Sequence, residues 1–127
     1  MSRGRCGRVI ELDYYDGVTV ALIEWVADVG AAEWFLVVRE EQSRAKSTVV
    51  YLGWSIVLTV PPKVGDDRIE VGIDVDTWEA LRANEVWGPP RWFQVRGWSF
   101  DDVTCLDDRP GATTDVTPAR VLARWQG

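Results

Sequence analysis

The sequence predicts an α+β fold that is mainly antiparallel β, with about six strands in a curled or barrel-like sheet and one or two short helices. Three observations carry this expectation. Apolar and polar residues alternate with period two along much of the chain, the spacing of half-buried strands. Asp16-Gly17 separates two apolar runs, a strong hairpin signal because a type I′ turn needs positive φ at both central residues. Strand and helix patterns never alternate as βαβαβ, which argues against a doubly wound parallel sheet. The length of 127 residues points to a single domain, 1–127, large enough to bury a core. Residues 1–7 are expected to be flexible and 109–117 to form a loop.

From Arg8 to Tyr15, Ile10, Leu12 and Tyr14 alternate with Glu11 and Asp13, a half-buried strand. The turn at Asp16-Gly17 leads to a second strand, Val18 to Ala27. Gly30, Ala31 and Ala32 break the pattern before a third strand, Glu33 to Glu40. Trp34, Leu36 and Val38 lie on one face of it, with Phe35 and Val37 on the other. Ser47 to Val60 is the clearest strand: Val50, Leu52, Trp54, Ile56, Leu58 and Val60 form an unbroken apolar face, and Gly53 suggests a bulge or bend. Pro61-Pro62 ends it. Arg68 to Asp76 alternates again, with Ile69, Val71, Ile73 and Val75 expected to point inward. Asp76 and Glu79 match a capping box for a helix from about Thr77 to about Glu85. Gly88-Pro89-Pro90 stops it, and Arg91 to Phe100 is the sixth strand. Asp101 to Pro118 reads mostly as loop, and Thr117-Pro118 opens a last helix with Val121, Leu122 and Trp125 on one face.

Absences bound the function. There is no histidine, so His general bases, Ser-His-Asp and Cys-His nucleophile pairs and His-ligated metals are out. The two cysteines, Cys6 and Cys105, form no C-x-x-C, which excludes a thiolate zinc site and a thioredoxin-like pair. A disulfide between them rests on parity alone. Neither G-x-x-x-x-G-K-[ST] nor G-x-G-x-x-G occurs, so nucleotide binding finds no support. No cofactor and no metal is expected. The longest apolar runs fall short of a bilayer span, and the basic N-terminus lacks a signal-peptide core, giving a cytoplasmic expectation.

Fourteen basic residues face twenty acids, a net charge of −6. The acids are clustered: residues 66–79 hold six against Arg68, and 11–41 hold eight against Arg39. Such a surface repels nucleic-acid phosphates and anionic membranes and steers a basic partner inward. Three carboxylate arrangements carry possible chemistry. Asp74-x-Asp76 puts two carboxylates on one strand face, about 7 Å apart, where a hard cation could sit. Asp101-Asp102 and Asp107-Asp108 bracket Cys105. Glu24 sits among Ile23, Trp25 and Val26; if buried it would be a candidate acid or base.

The eight tryptophans default to core positions, above all Trp25, Trp34, Trp54, Trp78 and Trp125. The strand from Arg91 differs. Trp92, Gln94, Arg96 and Trp98 share a face while Phe93 and Val95 take the core side. Exposed Trp with Arg is the composition of an interface hot spot, so Arg91, Trp92, Arg96 and Trp98 are the candidate partner-binding residues. Together these features favour a small acidic protein-binding module, such as an inhibitor or immunity-type protein capping a basic partner. A carboxylate-based hydrolase, with or without a metal, and a Trp-based carbohydrate-binding module are the alternatives. A structural or assembly subunit, including a homo-oligomer through Trp98 or an exposed sheet edge, is the remaining alternative.

Overall fold

The computed structural model describes residues 4–58, 62–97, 99–106 and 116–124. The order is β1 (Gly4–Tyr14), β2 (Val18–Ala27), β3 (Glu33–Ser43), β4 (Thr48–Ile56), β5 (Ile69–Val71), α1 (Val75–Ala83), β6 (Pro90–Arg96), β7 (Val103–Leu106) and α2 (Pro118–Arg124). The seven strands form one sheet, ordered β5-β1-β2-β3-β4-β6-β7. Every pairing is antiparallel except β5 against β1. The sheet curls into a half-barrel, as the sequence predicts.

The β1–β2 turn forms at the predicted residues. Asp16 and Gly17 both have positive φ, 50° and 108°, the region a tight hairpin requires. Arg39 Nη1 donates to Asp16 O at 2.9 Å and ties the turn to β3.

Both faces of the sheet are buried. On one face Val9, Ile23, Trp25, Phe35, Val37, Tyr51, Phe93, Val95, Phe100 and Cys105 make a core to which, among the described residues, no helix contributes; the curling sheet encloses it. Phe93 is its hub, with Trp25 and Phe35 edge-on at 5.6 and 5.1 Å. On the other face Ile10, Leu22, Leu36, Leu52, Trp54 and Ile56 pack with Leu81 of α1 and Val121 and Leu122 of α2. Trp34, Trp78, Trp87 and Trp92 are half-buried around this second core; Trp125 lies outside the described residues.

The strand expected over Ser47–Val60 is β4, shorter and apolar on both faces: Tyr51 is as buried as Trp54. Gly53 marks neither bulge nor bend. It pairs regularly with Val37 and Arg91. A Cβ there would lie 2.8 Å from Val37 Cγ1 and 2.9 Å from Phe93 Cε2, so its glycine lets these side chains close over the strand.

Four expectations are corrected. Residues 4–7 are not a loose tail, since Gly4, Arg5 and Cys6 pair with Ala27, Val26 and Trp25. Residues 109–115 of the expected loop lie outside the described residues, as does Trp98. The strand at Arg68–Asp76 shrinks to β5, and Ile69 and Val71 point to solvent. β5 sits at the sheet edge beyond β1, where neither core extends over its face. The helix begins two residues early. Asp74, not Asp76, is the N-cap: its two oxygens accept from the Thr77 N–H and hydroxyl, each at 2.9 Å. Thr77 is buried and its hydroxyl needs that acceptor. Finally, Val103–Leu106 is a seventh strand inside the expected loop, with Cys105 fully buried against Phe93.

Candidate functional site

Period two places Trp92, Gln94 and Arg96 on one face of β6. Trp92 is half-buried beside Leu52 and Leu106, its cross-strand neighbours. Arg96 is exposed at the strand end, and its N–H donates to Asp102 O at 3.0 Å. Arg91 takes the opposite face, its guanidinium 6.0 Å from the Phe35 ring centroid. These three residues therefore do not form one patch: Arg91 serves the helix-free side, Trp92 the helix-covered side and Arg96 the rim.

Glu24 is half-buried, and its Oε1 accepts the Arg8 N–H at 3.3 Å. Asp74 caps α1, and that hydrogen bonding holds its carboxyl below the ordinary value. Asp101 binds Arg68 and Ser99. Among the described residues no three of His, Cys, Asp or Glu come together in a group that could hold a metal ion. Among the described residues, the most open tryptophans, Trp34, Trp78, Trp87 and Trp92, are half-buried against the second core.

Arg68 is the residue that sequence reading missed. It lies where the half-barrel fails to close, between β1 and the β6–β7 turn. Its Nε donates to Gly7 O at 2.7 Å and its Nη1 to Asp101 Oδ1 at 2.6 Å. Nη2 donates to Phe100 O. One planar guanidinium thus satisfies two backbone carbonyls and a carboxylate across the seam, a geometry a single ammonium cannot copy. An open cleft of about 640 Å³ runs along the seam, lined by Arg5, Cys6, Arg8, Gly65, Asp66 and Asp101 among others. Burial pushes the thiol of Cys6 at its wall up to about 11, against a smaller opposing pull from Arg68, which disfavours the thiolate form.

With Arg68 engaged in the seam, the acids beside it in the chain outnumber the remaining cations there, the exposed Lys63 and Arg82. Asp66, Asp67, Asp76 and Glu79 are exposed around β5 and the start of α1, and Glu70 is half-exposed. Within this acidic frame stand exposed Val71 and Val75, at 79% and 69% of their full accessibility, and partly exposed Ile69. Soluble surfaces carry single exposed valines without meaning. Ile69 and Val71, exposed on one sheet edge with Val75 at the start of the following helix and mostly acidic residues beside them in the chain, have the anatomy of a docking surface.

No known protein family, no curated protein and no solved structure matches this chain. The surface chemistry is therefore the only guide to function.

The clasp can be checked directly. Arg68→Ala is expected to lower stability by about 2 kcal/mol, the scale of a few charge-assisted hydrogen bonds at a partly exposed site. Arg68→Lys should recover less than half of that. Urea unfolding of the three proteins measures it; equal midpoints for wild type and Arg68→Ala would show that the seam holds without the clasp.

Proposed function

We propose that the chain is a small acidic protein-binding module that caps a basic partner protein, in the manner of an inhibitor or immunity-type protein. The observation that carries this reading is the β5–α1 edge, where Ile69, Val71 and Val75 are exposed and Asp66, Asp67, Glu70, Asp76 and Glu79 outnumber the exposed Lys63 and Arg82, while Arg68 is turned into the seam. Apolar contacts at the centre would supply affinity, and the acidic rim would speed encounter and reject acidic partners. No helix among the described residues is long and apolar enough to cross a membrane. Cys6 and Cys105 both remain thiols, which favours a reducing compartment, the cytoplasm.

The test is capture of a stoichiometric partner from the native host, followed by affinity measurement with purified components. Asp66→Lys with Asp67→Lys should weaken binding by at least about tenfold, and raised salt should weaken the wild type similarly. A partner whose affinity ignores both changes would defeat the reading. Trp92→Ala and Arg96→Ala form the comparison arm. A loss confined to that arm would move the docking face to β6.

A further inference from the structure

We infer that the open edge of β5 takes a basic, extended segment of the partner protein as an added strand. This inference rests on the acidic docking reading above and specifies its mode.

The backbone makes the case. In the parallel ladder, β1 and β5 pair Val9 with Ile69, Ile10 with Glu70 and Glu11 with Val71. Val9 N donates to Arg68 O at 3.0 Å, and Gly72 N donates to Glu11 O at 2.8 Å. Backbone groups of successive strand residues point to opposite edges, so residues 68, 70 and 72 face β1. The N–H and C=O of Ile69 and Val71 therefore face away from it. Among the described residues no strand pairs with that side of β5. Natural edge strands are blocked by Pro, Lys or a bulge, or by short length and charge. β5 has no Pro, Lys or bulge; its three residues are guarded only by Glu70 and the acids beside it, which repel acidic strands and admit a basic one, and Ile69 and Val71 are exposed.

Charge decides the occupant. Asp66 and Asp67 precede the strand, Glu70 lies within it, and Asp76 and Glu79 follow, five acids against the exposed Lys63 and Arg82. An acidic or neutral strand, a second copy of this edge included, would bring like charges together or leave these acids unanswered. A segment alternating Val or Ile with Lys or Arg would set its apolar side chains beside Ile69 and Val71 and its cations against the acids. Main-chain hydrogen bonds would give affinity and the alternate pockets specificity.

The probe is a short synthetic peptide in which Val alternates with Lys and Arg. Two N-methylated forms, methylated on alternate residues in the two possible registers, leave side chains and charge intact and each block one edge of the strand. Strand addition predicts that one form binds like the parent and the other at least about tenfold more weakly. It also predicts that the Ile69 and Val71 amides gain at least about tenfold protection from hydrogen exchange on binding. Asp66→Lys with Asp67→Lys should weaken the parent peptide by a similar factor. If both methylated forms bind like the parent, or both fail, or the two amides stay unprotected, strand addition is wrong while acidic docking stands. If the parent does not bind up to about 1 mM, the weak end of measurable association, strand addition is wrong. If it binds but ignores the lysine substitutions, the acidic docking reading falls with it.

Discussion

Replacing Phe93 by alanine is expected to cost about 3–5 kcal/mol. Phe93 is fully buried, and Trp25 and Phe35 both meet its ring edge-on. It also lies over Gly53, which has no side chain to fill the space left behind. The lost burial and the cavity therefore add, and the rigid strand neighbours limit collapse. A domain of this size has about 5–15 kcal/mol to lose, so the variant should be near its unfolding threshold at 37 °C. Val71→Ala, on the exposed edge, should stay within about 0.5 kcal/mol of wild type. Chemical unfolding of both variants decides it; a Phe93→Ala cost below about 1 kcal/mol would mean the aromatic cluster is not the core.

The second large effect is alkaline. Burial raises the Cys6 thiol from 9.0 to about 11, with Glu24 and Asp101 pushing the same way and Arg68 opposing. Burial raises the Tyr51 hydroxyl from 10.0 to about 12, with Arg39 opposing and Glu11 adding. Tyr51 also donates its proton to Val18 O at 2.6 Å in the core, so ionisation removes that bond. In both cases the folded state holds the proton more tightly than the unfolded chain. The stability this gives is complete below the unfolded pKa and drains away as pH rises through the folded one. The window is pH 9 to 11 for Cys6 and 10 to 12 for Tyr51. Each contributes about 2–3 kcal/mol by linkage. Unfolding free energy should be flat from neutrality to about pH 9 with respect to these groups, then fall steeply. Cys6→Ala should remove the earlier part of the fall and Tyr51→Phe the later part. A curve level to pH 12, or one unchanged in both variants, would contradict the burial of these groups.

Much of the sheet was legible because its signals are local. Asp16-Gly17 fixes a turn within its own two residues, and β2, β3 and β4 show themselves as apolar runs. What failed depends on distant partners. Ile69 and Val71 carry the same alternation as an inward-facing strand, and only the position of β5 beyond β1 turns them outward. Asp74-x-x-Thr77 and Asp76-x-x-Glu79 are both capping patterns on paper. The buried Thr77 hydroxyl selects the first. The four residues of β7 were hidden because Asp101-Asp102 and Asp107-Asp108 on either side give the stretch a loop-like composition. Arg68 read as one cation in an acidic stretch, since Gly7 and Phe100, whose carbonyls it binds, lie far away in the chain. The Trp–Arg composition at 91–98 was plain, yet composition does not say that Trp92 has Leu52 and Leu106 for neighbours.

A strand apolar on both faces raises a question that alternation cannot answer. In a half-buried strand, sliding by one residue exposes the apolar set, and solvent enforces the alignment. β4 has no polar face to expose, so water is indifferent to its register. Gly53 supplies the missing key. Sliding β4 by two residues against β3 and β6 would keep every side chain on its own face but bring Tyr51 or Ser55 under Phe93 and Val37, where even a Cβ does not fit. Sliding it by one would drive Leu52 or Trp54 into the same gap. The smallest residue in the central strand thus acts as the notch that admits a single alignment, and shape takes over the work that polarity performs elsewhere in the sheet.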